Sequence, residues 1–185
     1  MILAAACAPA HRGARGAGDA GTLVGVYRAT IEDAGKRRHA KLSLWAMRPD
    51  RLHAELLAPV GGVRLVLDAG GDAACIVDVP RATAFAGGSG PEALAPVVGV
   101  RVSIAEAVAA LLDGTSPPGL TVLREGEPGL LPATLRIDDG ARSVRMERLR
   151  LERREGSTAE LGTGTPPAGI AVRPLEDLSL DADEE

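Results

Sequence analysis

From residue 23 onward the chain alternates apolar and polar positions with a period of two. Leu42, Leu44 and Ala46 interleave with Lys41, Ser43 and Trp45, and Leu52, Ala54 and Leu56 interleave with Arg51, His53 and Glu55. Successive strand side chains point to opposite faces, so this pattern predicts half-buried strands of an antiparallel sheet with one solvated side. The same reasoning predicts strands over 23–31, 36–47, 51–56, 63–68, 75–79, 81–85, 120–124, 133–138, 142–154 and 170–175, about ten in all. Pro, Gly and Asp punctuate them at 32–35, 48–50, 58–62 and 69–72, and Asp139-Gly140 is a strong hairpin signal. In 142–154, Val144 and Met146 lie in one phase and Leu149 and Leu151 in the other. That change of phase predicts a β-bulge near Glu147-Arg148.

One stretch departs from period two. Over 99–114, Ile104, Val108, Leu111 and Leu112 recur at helical spacing, Ser103 and Glu106 form a capping box, and Gly114 supplies the stop. A second capping pattern, Ser89-Gly90-Pro91-Glu92, predicts a short helix carrying Leu94 and cut by Pro96. A single amphipathic helix among so many strands has no helical partner for its stripe, so it must lie on or inside the sheet. The expected class is α+β, mostly antiparallel β, in one domain.

Composition narrows the chemistry. A net charge of −4 and an aromatic content of 2% oppose a nucleic-acid binder, which needs a basic face and stacking rings. The chain has two cysteines and three histidines, and His11, His39 and His53 have no partner at a useful spacing. No metal site, disulfide framework or cofactor is therefore expected. Cys75 alternates with Val77 and Val79 and reads as a small buried hydrophobe. No Gly-x-Ser-x-Gly elbow occurs, Ser89 and Ser103 read as helix caps, and Gly87-Gly88-Ser89-Gly90 lacks a phosphate-binding lysine. An enzyme is not expected. The arginines of 142–154 form a basic run interrupted by Glu147 and Glu152 and read as a solvated sheet face.

Residues 1–7 end in small residues followed by Cys7, which resembles the lipobox of bacterial lipoproteins, whose cysteine becomes the lipidated first residue. The leucine, Leu3, stands one place earlier than usual, and six residues precede Cys7 where a secretory signal has a longer apolar region. The choice lies between a truncated signal and a chance likeness. The Gly/Ala-rich stretch that follows, readable as a flexible tether, favours the first. No other segment approaches the roughly eighteen apolar residues of a spanning helix.

The segments Leu56-Leu57-Ala58-Pro59-Val60-Gly61-Gly62, Val98-Gly99-Val100-Arg101-Val102-Ser103 and Leu131-Pro132-Ala133-Thr134-Leu135-Arg136-Ile137, in this order, resemble the bacterial lipoprotein-carrier family (LolA/LolB-like), and most the LolB-type outer-membrane branch. The resemblance implies an incomplete, open β-barrel with a short helical lid, holding lipoprotein acyl chains in an apolar concavity. It also implies that Val60, at a hairpin tip, contacts the membrane. Family members carry a helix before the first strand, whereas Gly13, Gly16, Gly18 and Gly21 oppose one here. Arg37 and Arg38 compete for the position of the arginine that secures the carrier's lid, and neither is assigned.

Alternation and helix stripe together predict a ligand-binding cavity lined by Leu42, Leu44, Leu52, Leu56, Leu65, Leu67, Ile104, Val108 and Leu111. Residues 1–22 are expected to be signal and tether, 23–175 the carrier-like domain, and 176–185 an acidic tail. The expected protein is a monomer anchored through acylated Cys7 at the outer membrane, facing the periplasm, with a soluble periplasmic protein as the alternative. Its partners would be acyl chains or lipid. The competing expectation is a lipid-anchored structural or adaptor protein whose core is filled.

Overall fold

The computed structural model describes residues 22–59, 61–154 and 161–178, so Cys7 and Val60 lie outside the described residues. Ten strands are described: β1 (Thr22–Asp33), β2 (Lys36–Met47), β3 (Arg51–Leu57), β4 (Val63–Gly70), β5 (Ala73–Asp78), β6 (Thr83–Gly88), β7 (Thr121–Glu125), β8 (Thr134–Asp138), β9 (Arg142–Arg154) and β10 (Ala171–Pro174). They form one sheet in the order β10-β6-β5-β4-β3-β2-β1-β9-β8-β7. All pairs are antiparallel except β10, which runs parallel to β6. The end strands β7 and β10 do not pair, so the sheet is open.

Local chemistry accounts for the path. The β1–β2 turn places Ala34 and Gly35 at φ 48° and 79°, the two left-handed positions of a tight hairpin. The expected bulge is present one residue further on than its sequence signal. Val26 faces Arg150 while Tyr27 faces Arg148, which leaves Leu149 without a partner in β1.

Among the described residues two α-helices cover the sheet, α1 (Ala95–Val98) and α2 (Ile104–Asp113). The capping box of α2 is formed: the Ser103 amide donates to Glu106 Oε2 at 2.9 Å and the Glu106 amide donates to Ser103 Oγ at 3.3 Å. Gly114 ends the helix at φ 72°. Its apolar stripe is buried, and Ile104, Ala107, Val108, Ala110, Leu111 and Leu112 all belong to the main core.

The region before α2 corrects the sequence reading. No helix starts at Ser89, which caps nothing: its hydroxyl donates to the Gly71 carbonyl at 2.7 Å and its carbonyl accepts from the Ile104 amide at 3.0 Å. Pro96 sits in the first turn of α1 and helps to start it. A proline costs a helix nothing where its missing N–H would have had no partner.

After β9, residues 161–164 lie against β4 and β5. A Cβ on Gly70 would overlap the Gly162 carbonyl, and one on Gly164 would overlap the Ala73 carbonyl. The chain then adds β10 beside β6 and buries Leu175 and Leu178 in the core. Among the described residues, no helix is long and apolar enough to cross a membrane.

Candidate functional site

Register brings the predicted leucines into cross-strand rows. Leu44, Ala54, Leu67 and Ile76 form one row across β2–β5, and Leu42, Leu56 and Leu65 form the next. On the far side of β1, Leu135 faces Met146 and Ile137 faces Val144 across β8 and β9. These two walls, roofed by Leu94, Val97, Val98, Val100, Val102, Ala107 and Leu111, with Leu52 completing the lining, enclose a cavity of about 130 Å³. Every lining side chain is aliphatic or methionine. Strands on both sides of β1 line one cavity, so the sheet curves around the helices.

Between the walls, Tyr27 of β1 is fully buried and its hydroxyl donates to the Pro132 carbonyl at 2.8 Å. The ring lies so close to Gly25 that a Cβ there would come within 2.5 Å of Tyr27 Cε2. Burial pushes the Tyr27 phenol up to about 12, against the lowering influence of Arg148 and Arg124.

The cavity has an inner end and a mouth. Leu44, Leu52, Leu65, Leu67, Ile76 and Leu135 are buried, whereas Leu42, Leu56, Val97, Val98 and Ile137 are half-buried. Leu42, Leu56 and Ile137 lie toward the end of the sheet that carries the turns at 34–35, 58–62 and 139–141. The turn at 58–62 is closed by two bonds, Gly61 amide to Ala58 carbonyl at 3.0 Å and Ala58 amide to Gly62 carbonyl at 3.1 Å.

Polar groups hold the roof. At the C-terminus of α2, Arg124 Nε donates to the Leu111 carbonyl at 2.8 Å and the Gly129 amide to the Leu112 carbonyl at 2.8 Å. Arg48 Nε adds a bond of 3.2 Å to Asp113. After α1, Arg142 Nη1 donates to the Gly99 carbonyl at 2.6 Å while its Nε lies 3.0 Å from Asp33. Arg148 Nη1 donates to the Leu131 carbonyl at 2.6 Å. Arg142 and Arg148 thus hold loops, in contrast to the solvated role expected for the whole run. Arg145 and Arg150 fit that role, exposed and paired with Glu147 and Glu152.

Of the nine predicted cavity residues, Leu42, Leu44, Leu52, Leu56, Leu65, Leu67 and Leu111 line the cavity. Ile104 and Val108 do not: both are fully buried in core packing on α2. Ala54, Ile76 and Ala107 also line the cavity without having been predicted, and two further groups of lining residues escaped the sequence reading. The first is the apolar run from Leu94 to Val102, where short elements hide the periodicity. The second is Leu135, Ile137, Val144 and Met146, whose alternation was visible but whose approach to β2–β4 depends on sheet curvature.

Histidine was also underestimated. His53 Nδ1 lies 3.0 Å from Asp68 Oδ1 and its Nε2 lies 3.4 Å from Glu55 Oε1, because β3–β4 pairing puts His53 opposite Asp68. This cluster occupies the other face of the sheet, remote from the cavity chemistry. Burial pushes the Asp68 carboxyl up, but bonds from His53, the Gly162 and Thr163 amides and the Thr163 hydroxyl outweigh it and hold it at about 2. Cys75, opposite Asp68 on β5, is a free buried thiol raised by burial and by the Asp68 charge, in line with its reading as a packing residue.

A second hollow of about 610 Å³ between the turns at 34–35 and 139–141 is lined by four cationic and three acidic side chains, and each of the acidic ones is paired with an arginine. Arg37 pairs with Glu32 and Arg136 with Asp138. No protein-family model matches the sequence, and no curated protein matches it.

Proposed function

We propose that the chain is a non-enzymatic binder of acyl chains, an open half-barrel whose helices form a lid over the ligand. The observation that carries this reading is the wholly apolar lining of the cavity, aliphatic but for Met146, which suits a ligand without polar groups along its length. Each methylene transferred from water into such a site gains about 0.8 kcal/mol. Transfer of lipoprotein or lipid to the outer membrane, with acylated Cys7 as anchor, is the physiological setting proposed for this binding.

The size of the cavity sets a condition. Ligand pockets usually hold about 300–1,000 Å³, whereas this one holds about 130 Å³, near the engineered apolar cavities of about 150 Å³ that accept benzene. A long chain therefore requires the lid to move. The movable part is α1, a single turn with no buried residue, followed by Gly99 at φ 75°. The C-terminus of α2, held by Arg48 and Arg124, stays in place.

The same small volume favours a second reading, a filled core in a lipid-anchored structural or adaptor protein. Calorimetric titration with fatty acids of increasing length separates the two. Affinity that keeps rising well beyond a six-carbon chain supports the carrier. Affinity that stops rising at that size, or no binding at all, supports the filled core.

A further inference from the structure

Strand β9 outruns the strand beside it. β8 pairs with β9 from Asp138 opposite Ser143 to Thr134 opposite Glu147, and the Arg148 amide then donates to the Ala133 carbonyl at 2.8 Å. On its other side β9 stays paired with β1 as far as Arg154 opposite Thr22. Among the described residues, the edge of β9 from Leu149 to Arg154 therefore has no strand beside it. Such an edge carries a row of backbone donors and acceptors that a further strand can satisfy. The same stretch exposes two leucines, Leu149 at 47% and Leu151 at 46%.

The charges along the edge identify the occupant. Arg150 and Glu152 stand opposite Val26 and Val24 and share one face, whereas Leu151 stands opposite Gly25 on the other. Arg150 and Glu152 are partly exposed and pair with each other. In an antiparallel pair about a twofold axis normal to the sheet, the residue on the axis faces its own copy and the two residues flanking it face each other. An axis at Arg150 sets two arginines face to face, and one at Glu152 sets two glutamates, each an opposition that destabilises a sheet. An axis at Leu151 sets leucine on leucine and places Arg150 of each copy against Glu152 of the other. Pairing then runs from residue 149 to residue 153 and stops where Ala133 already meets Arg148. We propose that this edge is a twofold interface between two copies of the chain, centred on Leu151 and joined by two reciprocal contacts of Arg150 with Glu152. A foreign strand meets a charged edge there, whereas a second copy meets its own complement. The interface is independent of what the cavity holds.

The test is sedimentation velocity of the full chain under reducing conditions, which keep its thiols from cross-linking copies. Five residues a side make a small interface, so the parent should pass from monomer toward dimer between about 1 and 100 µM. Arg150→Glu and Glu152→Arg each turn both contacts into like-charge pairs and should weaken self-association at least about tenfold. Mixed in equal amounts, the two variants regain both contacts and should dimerise with parental strength. The double variant Arg150→Glu/Glu152→Arg should do so with itself. Leu151→Lys, which sets two cations on the axis, should give the same loss without touching either charged residue. Circular dichroism like that of the parent establishes that each variant is folded. A parent that stays monomeric across the range overturns the inference, whether another segment of the chain or a different protein then covers the edge. A parent dimer that none of the single variants weakens, or single charge variants that do not recover on mixing, overturns the assignment to this edge.

Discussion

Asp68 Oδ1 accepts the amide proton of Gly162 at 2.6 Å, a bond that joins β4 to a segment 94 residues further along the chain. Its other oxygen accepts from the Thr163 amide at 2.9 Å, the Thr163 hydroxyl at 3.1 Å and the Gly164 amide at 3.2 Å. A carboxylate with this many donors is satisfied only when ionised. Its pKa of about 2 in the folded chain lies below the ordinary 3.8. The stabilisation is therefore complete above about pH 4 and is lost as the pH falls toward 2. Asp68→Asn should lower stability at neutral pH by on the order of 2 kcal/mol. It should also flatten the acid limb, as measured by urea denaturation from pH 2 to 7. An unchanged acid limb would contradict this role.

Gly70 gives an independent check on the same segment. A methyl group there overlaps the Gly162 carbonyl, so backbone must move. Gly70→Ala should release 161–178 while the sheet persists, giving faster limited proteolysis within that segment and little loss of far-ultraviolet circular dichroism. Equal proteolysis of parent and variant would show that the segment is held elsewhere.

The capping box of α2 offers a smaller, local effect. Ser103→Ala removes the acceptor of the Glu106 amide and the partner that, with the Ser103 amide, holds the Glu106 carboxyl below its usual range. The cost expected is about 1 kcal/mol. Chemical denaturation should register it as a shifted midpoint with an unchanged slope.

The strands and the long helix were legible because each has a local cause. Alternation from Lys41 to Met47 and from Arg51 to Leu56 reports one-sided burial, and Ser103, Glu106 and Gly114 mark α2 at both ends. The role of Pro96 was not legible, because the residue that stops a long helix also starts a short one. His53 looked alone because its partner Asp68 is adjacent only through β3–β4 register. The leucines of β2–β4 were found by period. Ile104 and Val108 were misplaced because a helix stripe shows which side is buried, not which part of it meets empty space. The far wall at Leu135 and Met146 needs the curvature of a whole sheet, a property no short window carries.

Ala54 tests the acyl-binding account most directly. It lies in the cavity lining, opposite Leu44 and Leu67, where a larger side chain enters the space proposed for the ligand. The measurement is titration of the full-length parent and of Ala54→Phe with a fluorescent long-chain acyl probe. Binding should be saturable in the parent and at least tenfold weaker in Ala54→Phe, with the variant still folded by circular dichroism. Absence of saturable binding in the parent, or equal binding by a folded Ala54→Phe, would contradict it.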